Sequence, residues 1–358
     1  MLTITLRRSS RYDACMKLLI LGGTSFLGPA IVEDALARGW DVTLFNRGKT
    51  NPHLFPDLRK IRGDRMTDDI EKIVDADCDA VIDTSAFFPQ HVKSAAEAVR
   101  DRARQYVFIS SVSAFDGHAT VGVTEDAPSL KLADEYAGRE DALGFDDMSK
   151  DMTLYGACKG LGEVAAEAAM PGRVTNIRPG FIVGPRDTSN RFHYWPWRMH
   201  QGGEILAPGP KSVPIQLIDV RDLATFCNQT IVDGHVGLYS ATGPAAETPL
   251  AELLYACKSV TATPGSLTWV TEEFILEQGA GTWAIPFWVA PSDAASQGLQ
   301  TVDNRKAIAH GLRFRPLAET ARATLEDALG NGHDAEWARG KQMRETETEW
   351  LAKWREKK

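Results

Sequence analysis

The sequence is poor in cysteine, with five in 358 residues, and none of them forms a CxxC pair. Cys15, Cys78, Cys158, Cys227 and Cys257 are scattered and odd in number, which argues against a disulfide framework or a thiolate zinc site. The eight histidines form no HExxH-like cluster; His193 and His200 are close in sequence without an acid or thiol pattern beside them. An excess of basic charge is also lacking. Lys and Arg number 40 against 48 Asp and Glu, a net charge of −8, so the electrostatic footprint of a nucleic-acid binder is missing. No apolar run approaches the ~20 residues that span a bilayer. The twin arginine of MLTITLRRSSRYDAC invites an export-signal reading. KLLIL behind it, however, is too short for an h-region and runs straight into a glycine loop. Residues 1–15 are expected to be a disordered leader, and the protein cytoplasmic.

What is present is an ordinary globular composition, 43% hydrophobic and 25% charged, long enough for one large core with an appended lobe. The runs KLLIL (17–21), DVTLF (41–45), AVIDT (80–84), QYVFIS (105–110) and VTNIR (174–178) are short, apolar or β-branched, and bounded by turn residues, the pattern of buried strands. Helical stretches lie between them, over 29–38, 92–100 and 151–170, the last stopped by Pro171 and Gly172. This alternation predicts an α/β fold, a Rossmann-type doubly wound parallel sheet over 16–185. A further strand and helix are expected to return near 214–240. Residues 186–216 are rich in Pro, Gly and aromatics and open a smaller, mixed substrate-binding lobe reaching 330. A helix is expected near Asp222, with Asp222 as its cap. Residues 331–358 read as a charged helix whose apolar contacts are Trp337, Trp350, Leu351 and Trp354.

The first strand leads into GGTSFLG and then a helix. Gly22 and Gly23 permit a tight turn and a close backbone approach to a pyrophosphate, and Gly28 lets helix and strand pack. Thr24, Ser25, Phe26 and Leu27 complete this phosphate loop. At the end of the second strand, where an NAD enzyme usually places an acid, the chain has Asn46, Arg47, Gly48 and Lys49. Arg47 and Lys49 suit a 2′-phosphate, so NADP(H) is expected, with NAD(H) as the alternative. Asp64 is placed to accept from the adenine, with Arg65 beside it. Thr84, Ser85 and Ala86 follow the fourth strand on the cofactor side.

Tyr155 and Lys159 stand four residues apart in LYGACKG and share one helix face. An ammonium beside a phenol stabilises the phenolate, lowering the tyrosine pKa from its ordinary ~10. Tyr155 can then donate a proton to a carbonyl or accept one from an alcohol. Ser111, at the end of QYVFIS, would orient the substrate oxygen.

With GD at 63–64, ISSVSAF, YGACK, IRPGFIVGP and LIDVRDLA in order over residues 16–240, the chain resembles an extended short-chain dehydrogenase/reductase of the NAD-dependent epimerase/dehydratase superfamily. The resemblance implies that Ser111, Tyr155 and Lys159 are catalytic, that the turn after Pro179 walls the nicotinamide, and that the protein is a homodimer acting on a small molecule. The departures concern the substrate. The asparagine that sugar-nucleotide members carry three residues after Arg178 is Phe181, and an arginine of theirs is Ile215. Both losses weigh against a nucleotide-sugar diphosphate. The nearby aromatic and basic residues Phe181, Arg191, Tyr194 and Trp195 are the expected substrate contacts instead. The leading expectation is therefore an NADP(H)-dependent carbonyl reductase or alcohol dehydrogenase. The alternatives are an NAD-dependent epimerase or dehydratase and, from GGTSFLG with FNRG, an atypical RNA-binding member.

Overall fold

Six segments of the first half form strands: five are short, mainly apolar and flanked by turn formers, and the third, RKIR, is a basic, partly exposed strand at the sheet edge. They are β1 (Lys17–Leu21), β2 (Asp41–Asn46), β3 (Arg59–Arg62), β4 (Ala80–Asp83), β5 (Gln105–Ile109) and β6 (Val174–Pro179). The helices between them are α1 (Leu27–Ala37), α2 (Pro89–Val99), α3 (Phe145–Lys150) and α4 (Leu154–Ala169). The computed structural model describes residues 16–330 and 338–357. The expected leader 1–15 and Trp337 lie outside them. Past β6 the chain forms β7 (Ile182–Val183), α5 (Tyr194–Gln201), β8 (Gly203–Pro208), β9 (Pro214–Asp219), α6 (Val220–Asp233) and β10 (Gly237–Ala241). It continues through β11 (Gly243–Pro249), α7 (Leu250–Ser259), β12 (Gly265–Val270), α8 (Glu272–Glu277), α9 (Arg305–Ala309), α10 (Leu317–Gly330) and α11 (Ala338–Glu356).

Two compact units result. The first comprises 16–114, 129–178 and 223–239, and it holds the seven-stranded sheet in the order β10-β6-β5-β4-β1-β2-β3. The pairs from β3 through β6 are parallel. Every residue of β4, β5 and β6 is buried, as expected of strands covered on both faces. This is the doubly wound Rossmann arrangement. Its direction reverses between β1 and β4, and such sheets bind ligands at the crevice beyond the strand ends there. The loops after β1 and β4 thus mark where a cofactor belongs.

The second unit comprises 115–128, 179–222 and 240 onward. It holds a three-stranded sheet, β11-β9-β7, and a parallel pair, β12-β8. Its core is aromatic, with Phe192, Trp195, Phe274 and Trp288 all 0–1% exposed. α11 is integral to it. The buried Arg198 guanidinium donates to Glu347 at 2.5 Å, and the other Glu347 oxygen accepts from the Leu206 amide at 2.7 Å. That carboxylate serves the edge of β8 where a neighbouring strand would otherwise do so. Leu351 is buried, and Trp350 and Trp354 pack on the same core. The expectation for Asp222 is corrected. α6 starts at Val220, and Asp219 takes the capping position, accepting from the Arg221 amide at 2.8 Å. Asp222 holds Arg315 instead, through its amide and Nε at 2.8 Å each. Among the described residues no helix is long and apolar enough to cross a membrane.

Candidate active site

The loop after β1 is shaped by its glycines. Gly22 and Gly23 have φ of 109° and 88°, values that side chains disfavour. A Cβ at Gly22 would collide with the Thr84 hydroxyl, and one at Gly28 would come within 2.7 Å of the Gly23 backbone. α1 therefore starts tight against the loop, with the amides of Thr24 to Leu27 at its positive end. Thr24 is buried and its carbonyl accepts from Asn51 at 2.9 Å, while Phe26 sits at φ 42° immediately before the helix. This backbone cradle, with no side chains filling it at Gly22, Gly23 and Gly28, fits a dinucleotide pyrophosphate.

Basic groups gather at the ends of β2 and β3. Asn46 donates to the Gly22 carbonyl at 2.8 Å and accepts from the Gly48 amide at 3.0 Å, which bends the chain so that Arg47 and Lys49 follow the strand end. The Arg47 guanidinium lies 3.9 Å from the Asp64 carboxylate, with both partly exposed. Asp64 also closes its own turn by accepting from the Met66 amide at 3.0 Å. Arg62, not singled out in the sequence, donates to the Asn46 side chain. Its only sequence signal was its place at the end of β3, level with Asn46. Arg47→Ala is expected to weaken NADPH binding by about 10–100-fold, from the ~1.5–3 kcal/mol of a charged hydrogen bond, with NADH binding little changed. Parallel titrations with the two nucleotides check this.

Arg65 is engaged inward. It forms a fork with Asp83 at 2.7 Å on both arms, donates to Ser85 Oγ at 2.9 Å, and caps the His91 carbonyl at 2.7 Å. Tyr106 adds a hydrogen bond to Asp83 at 2.7 Å. The Arg65 guanidinium is thus committed to the floor of the β4 loop and is not available to a cofactor as the sequence suggested. That loop then offers Thr84, which donates to the Leu21 carbonyl at 2.9 Å, Ser85 and Ala86. Asp83 and Tyr106 were hidden in apolar strand patterns.

α4 carries Tyr155 and Lys159 onto the turn that holds Ser111. Glycine makes this approach possible, because a Cβ at Gly156 would overlap the Ser113 carbonyl, and one at Gly160 would meet Ser129 at 3.0 Å. Ser111 follows β5, is 8% exposed, and accepts from the Ser113 amide at 3.1 Å. Lys159 is 5% exposed, and its ammonium donates to the Ala86 and Ile109 carbonyls at 2.7 and 2.8 Å. It lies 5.0, 5.4 and 5.8 Å from the ring centres of Phe108, Phe87 and Tyr155. Burial pushes the Lys159 pKa down to about 8, opposed by the negative charge of Asp83 and Glu163. One turn on, Glu163 is locked to Arg178 at 2.7–2.8 Å and accepts from Ser110 at 2.5 Å, tying the ends of β5 and β6 to α4. Glu163 stands at i+4 from Lys159, so the same helical spacing that revealed the lysine could have revealed it.

These features have counterparts among known proteins. The profile of the NAD dependent epimerase/dehydratase family matches residues 18–235, more than half of the chain. The chain belongs to that family. A curated relative, the epimerase family protein SDR39U1 of Bos taurus, is 26% identical over 277 residues, 70% of this chain and 82% of its own length. The Bordetella bronchiseptica enzyme WbmH, solved in complex with NAD+, covers 89% of this chain and 99% of its own at TM-score 0.62 and 17% identity. Human SDR39U1, solved with NADPH, covers 87% and 100% at TM-score 0.57 and 17% identity. At these identities the two structures speak for the fold. Membership in the epimerase/dehydratase family carries the enzyme class and the nicotinamide dependence.

On the substrate side, this epimerase/dehydratase chain places its expected residues unevenly. Pro179 ends β6 and is buried. Phe181 is half-buried, and the exposed Arg191 stacks on it with its guanidinium carbon 5.0 Å from the ring centre. Tyr194 and Trp195 are core residues instead, at 4% and 0% exposure. The Trp195 indole donates to the Pro286 carbonyl at 3.0 Å, and burial raises the Tyr194 pKa. α5 turns this face inward because Tyr194, Trp195 and Trp197, with Met199, are the large apolar groups it has to bury. Arg198 on the same helix is also turned inward, paired with Glu347.

Proposed function

We propose that the chain is an NADP(H)-dependent enzyme of the epimerase or dehydratase type, with Tyr155 exchanging a proton at a substrate hydroxyl or carbonyl oxygen. The observation that carries this reading is the buried ammonium of Lys159, which stands on α4 one turn from Tyr155 and is held by the Ala86 and Ile109 carbonyls close to the Ser111 turn. A charge so placed favours the tyrosinate form, and Ser111 supplies a hydroxyl for the same substrate oxygen. The loop amides from Thr24 to Leu27 would hold the pyrophosphate, Arg47, Lys49 and Arg62 the 2′-phosphate, and Asp64 the adenine. Bound there, the nicotinamide supplies hydride acceptance and donation.

Family membership supports this reading over the net carbonyl reduction toward which the sequence leaned. Net reduction survives as a second reading on one observation, the acid-free basic end of β2, which favours a freely exchanging NADP(H). Native mass spectrometry of the purified protein, followed by nucleotide extraction, separates the two. Stoichiometric retained nicotinamide nucleotide is the expected result. Empty protein that takes up and releases NADPH sinks the epimerase or dehydratase reading and favours the reductase.

A pH dependence follows from Lys159. Activity is expected to fall as pH rises through about 8, where the ammonium loses its charge and no longer favours the tyrosinate. Because its folded pKa lies below the ordinary ~10.4, the folded state binds fewer protons between those values, so stability rises there while activity declines. Opposite pH slopes for turnover and for urea midpoint over this window check it.

A further inference from the structure

The second unit carries an arginine that no carboxylate neutralises among the described residues. Arg191 is exposed, its Nε donates to Ser189 Oγ at 3.1 Å, and no carboxylate pairs with it among the described residues. The turn that presents it is preorganised. Asp187 accepts from the Ser189 amide at 2.8 Å, the Asn190 amide returns to the Asp187 carbonyl at 3.2 Å, and Asn190 adopts φ 53°. The guanidinium stacks on Phe181, whose ring lies 5.1 Å from Trp283 and 5.7 Å from Phe287. Phe287 in turn meets Phe192 edge-on, which anchors the group in the core.

Trp283 is held at a cost. It is 37% exposed with φ 69°, and Phe287 has φ 65°. A bulky residue in that region is a conformational outlier that the surrounding structure must enforce. The surrounding loop enforces it. The Trp283 amide donates to the Trp288 carbonyl at 3.1 Å, the Trp288 indole is pinned to the Gly209 carbonyl at 3.1 Å, and the Ala290 amide donates to Thr282 Oγ at 3.2 Å. Folding alone would favour burying this indole or relaxing its backbone. Held half out, the indole packs on the same Phe181 ring as the Arg191 guanidinium, which no carboxylate pairs among the described residues.

We propose that Trp283, Phe181 and Arg191 form a binding platform for a ring-bearing carboxylic acid. The ring stacks on the indole face and the carboxylate pairs with the guanidinium. The ring is either aromatic or a sugar ring presenting its C–H face; the shared chemistry is a flat ring with one carboxylate. The platform lies wholly within the second unit, so it stands or falls independently of the chemistry assigned to Tyr155.

The test uses the full chain, with benzoate and glucuronate as probes and benzyl alcohol and glucose as their neutral counterparts. Binding is followed by calorimetry and by the Trp283 indole resonance, identified through its loss in Trp283→Leu. At least one acid is expected to bind about tenfold or more tightly than its neutral counterpart. That advantage is expected to vanish in Arg191→Met, whereas Trp283→Leu weakens the acid about 2–10-fold. Which acid binds identifies the ring. Equal affinity for acid and neutral probe, indifference to Arg191→Met, or no binding by either acid overturns the proposal. Both substitutions are at exposed positions, and matching thermal melts confirm that the fold is retained.

Discussion

Replacing Tyr155 with phenylalanine is expected to lower turnover by about 10²–10⁴-fold, the usual contribution of a positioned proton donor or acceptor, while nicotinamide-nucleotide affinity stays within about twofold. The ring is half-buried and packs near Phe87, at 6.2 Å between centres, so losing one hydroxyl leaves its packing in place. The lysine is a poorer probe. Lys159→Met would leave the buried Ala86 and Ile109 carbonyls without their donor, and a fall in activity would mix chemistry with local collapse. Steady-state rates on any substrate found, beside nucleotide binding by fluorescence, decide the matter. A Tyr155→Phe enzyme with full turnover overturns the mechanism, whatever the substrate. Ser111→Ala should follow in the same direction with a smaller loss, because it removes an orienting hydroxyl and not the proton carrier.

The second large effect concerns stability. Asp83→Ala is expected to cost about 3–5 kcal/mol, the usual result of breaking a buried ion pair from one side. Asp83 is fully buried, and its removal strands the Arg65 guanidinium and the Tyr106 hydroxyl beneath the β4 loop. Urea unfolding measures the loss, and a change below about 1 kcal/mol would show that the network is not what holds this floor. The triple replacement Arg65→Met, Asp83→Leu, Tyr106→Phe should recover most of the stability, since apolar groups can substitute for a buried pair at little net cost. Nucleotide binding should not recover equally, because Ser85 loses its Arg65 contact and the loop its shape. The pair also carries an acid dependence. Arg65 and Tyr106 hold the Asp83 carboxyl below its ordinary value despite its burial. Its contribution is therefore complete above about pH 4 and is lost as pH falls through the depressed folded pKa.

Local patterns account for much of what the chain disclosed by itself. β1, β2, β4, β5 and β6 lie where short, mainly apolar runs placed them, because strands covered by helices must be largely apolar. The glycine loop was legible because its conformation excludes side chains. Tyr155 and Lys159 were legible because helical spacing puts them on one face. Residues whose roles depend on distant partners were not. Arg65 looked like a cofactor ligand from its neighbour Asp64, yet Asp83, eighteen residues on, claims it. Arg62 and Glu163 acquire their places only when β3 pairs with β2 and α4 settles on β6. Tyr194 and Trp195 looked like ligand contacts because an aromatic cluster reads the same in sequence whether it lines a site or fills a core.

The amino-acid order alone determined the strand segments of the Rossmann sheet, the glycine loop and the placing of Tyr155 and Lys159 on one helix face, each set within a short stretch of chain. Tertiary structure alone decided which charges are spent and which are presented. It buried Arg65 against Asp83, Arg178 against Glu163 and Arg198 against Glu347, and it left Arg191 exposed on Phe181 beside a strained Trp283. The reason is that a charged side chain leaves water only where a partner or a hydrogen-bonding frame offsets its desolvation, and that partner is supplied by folding from any distance along the chain.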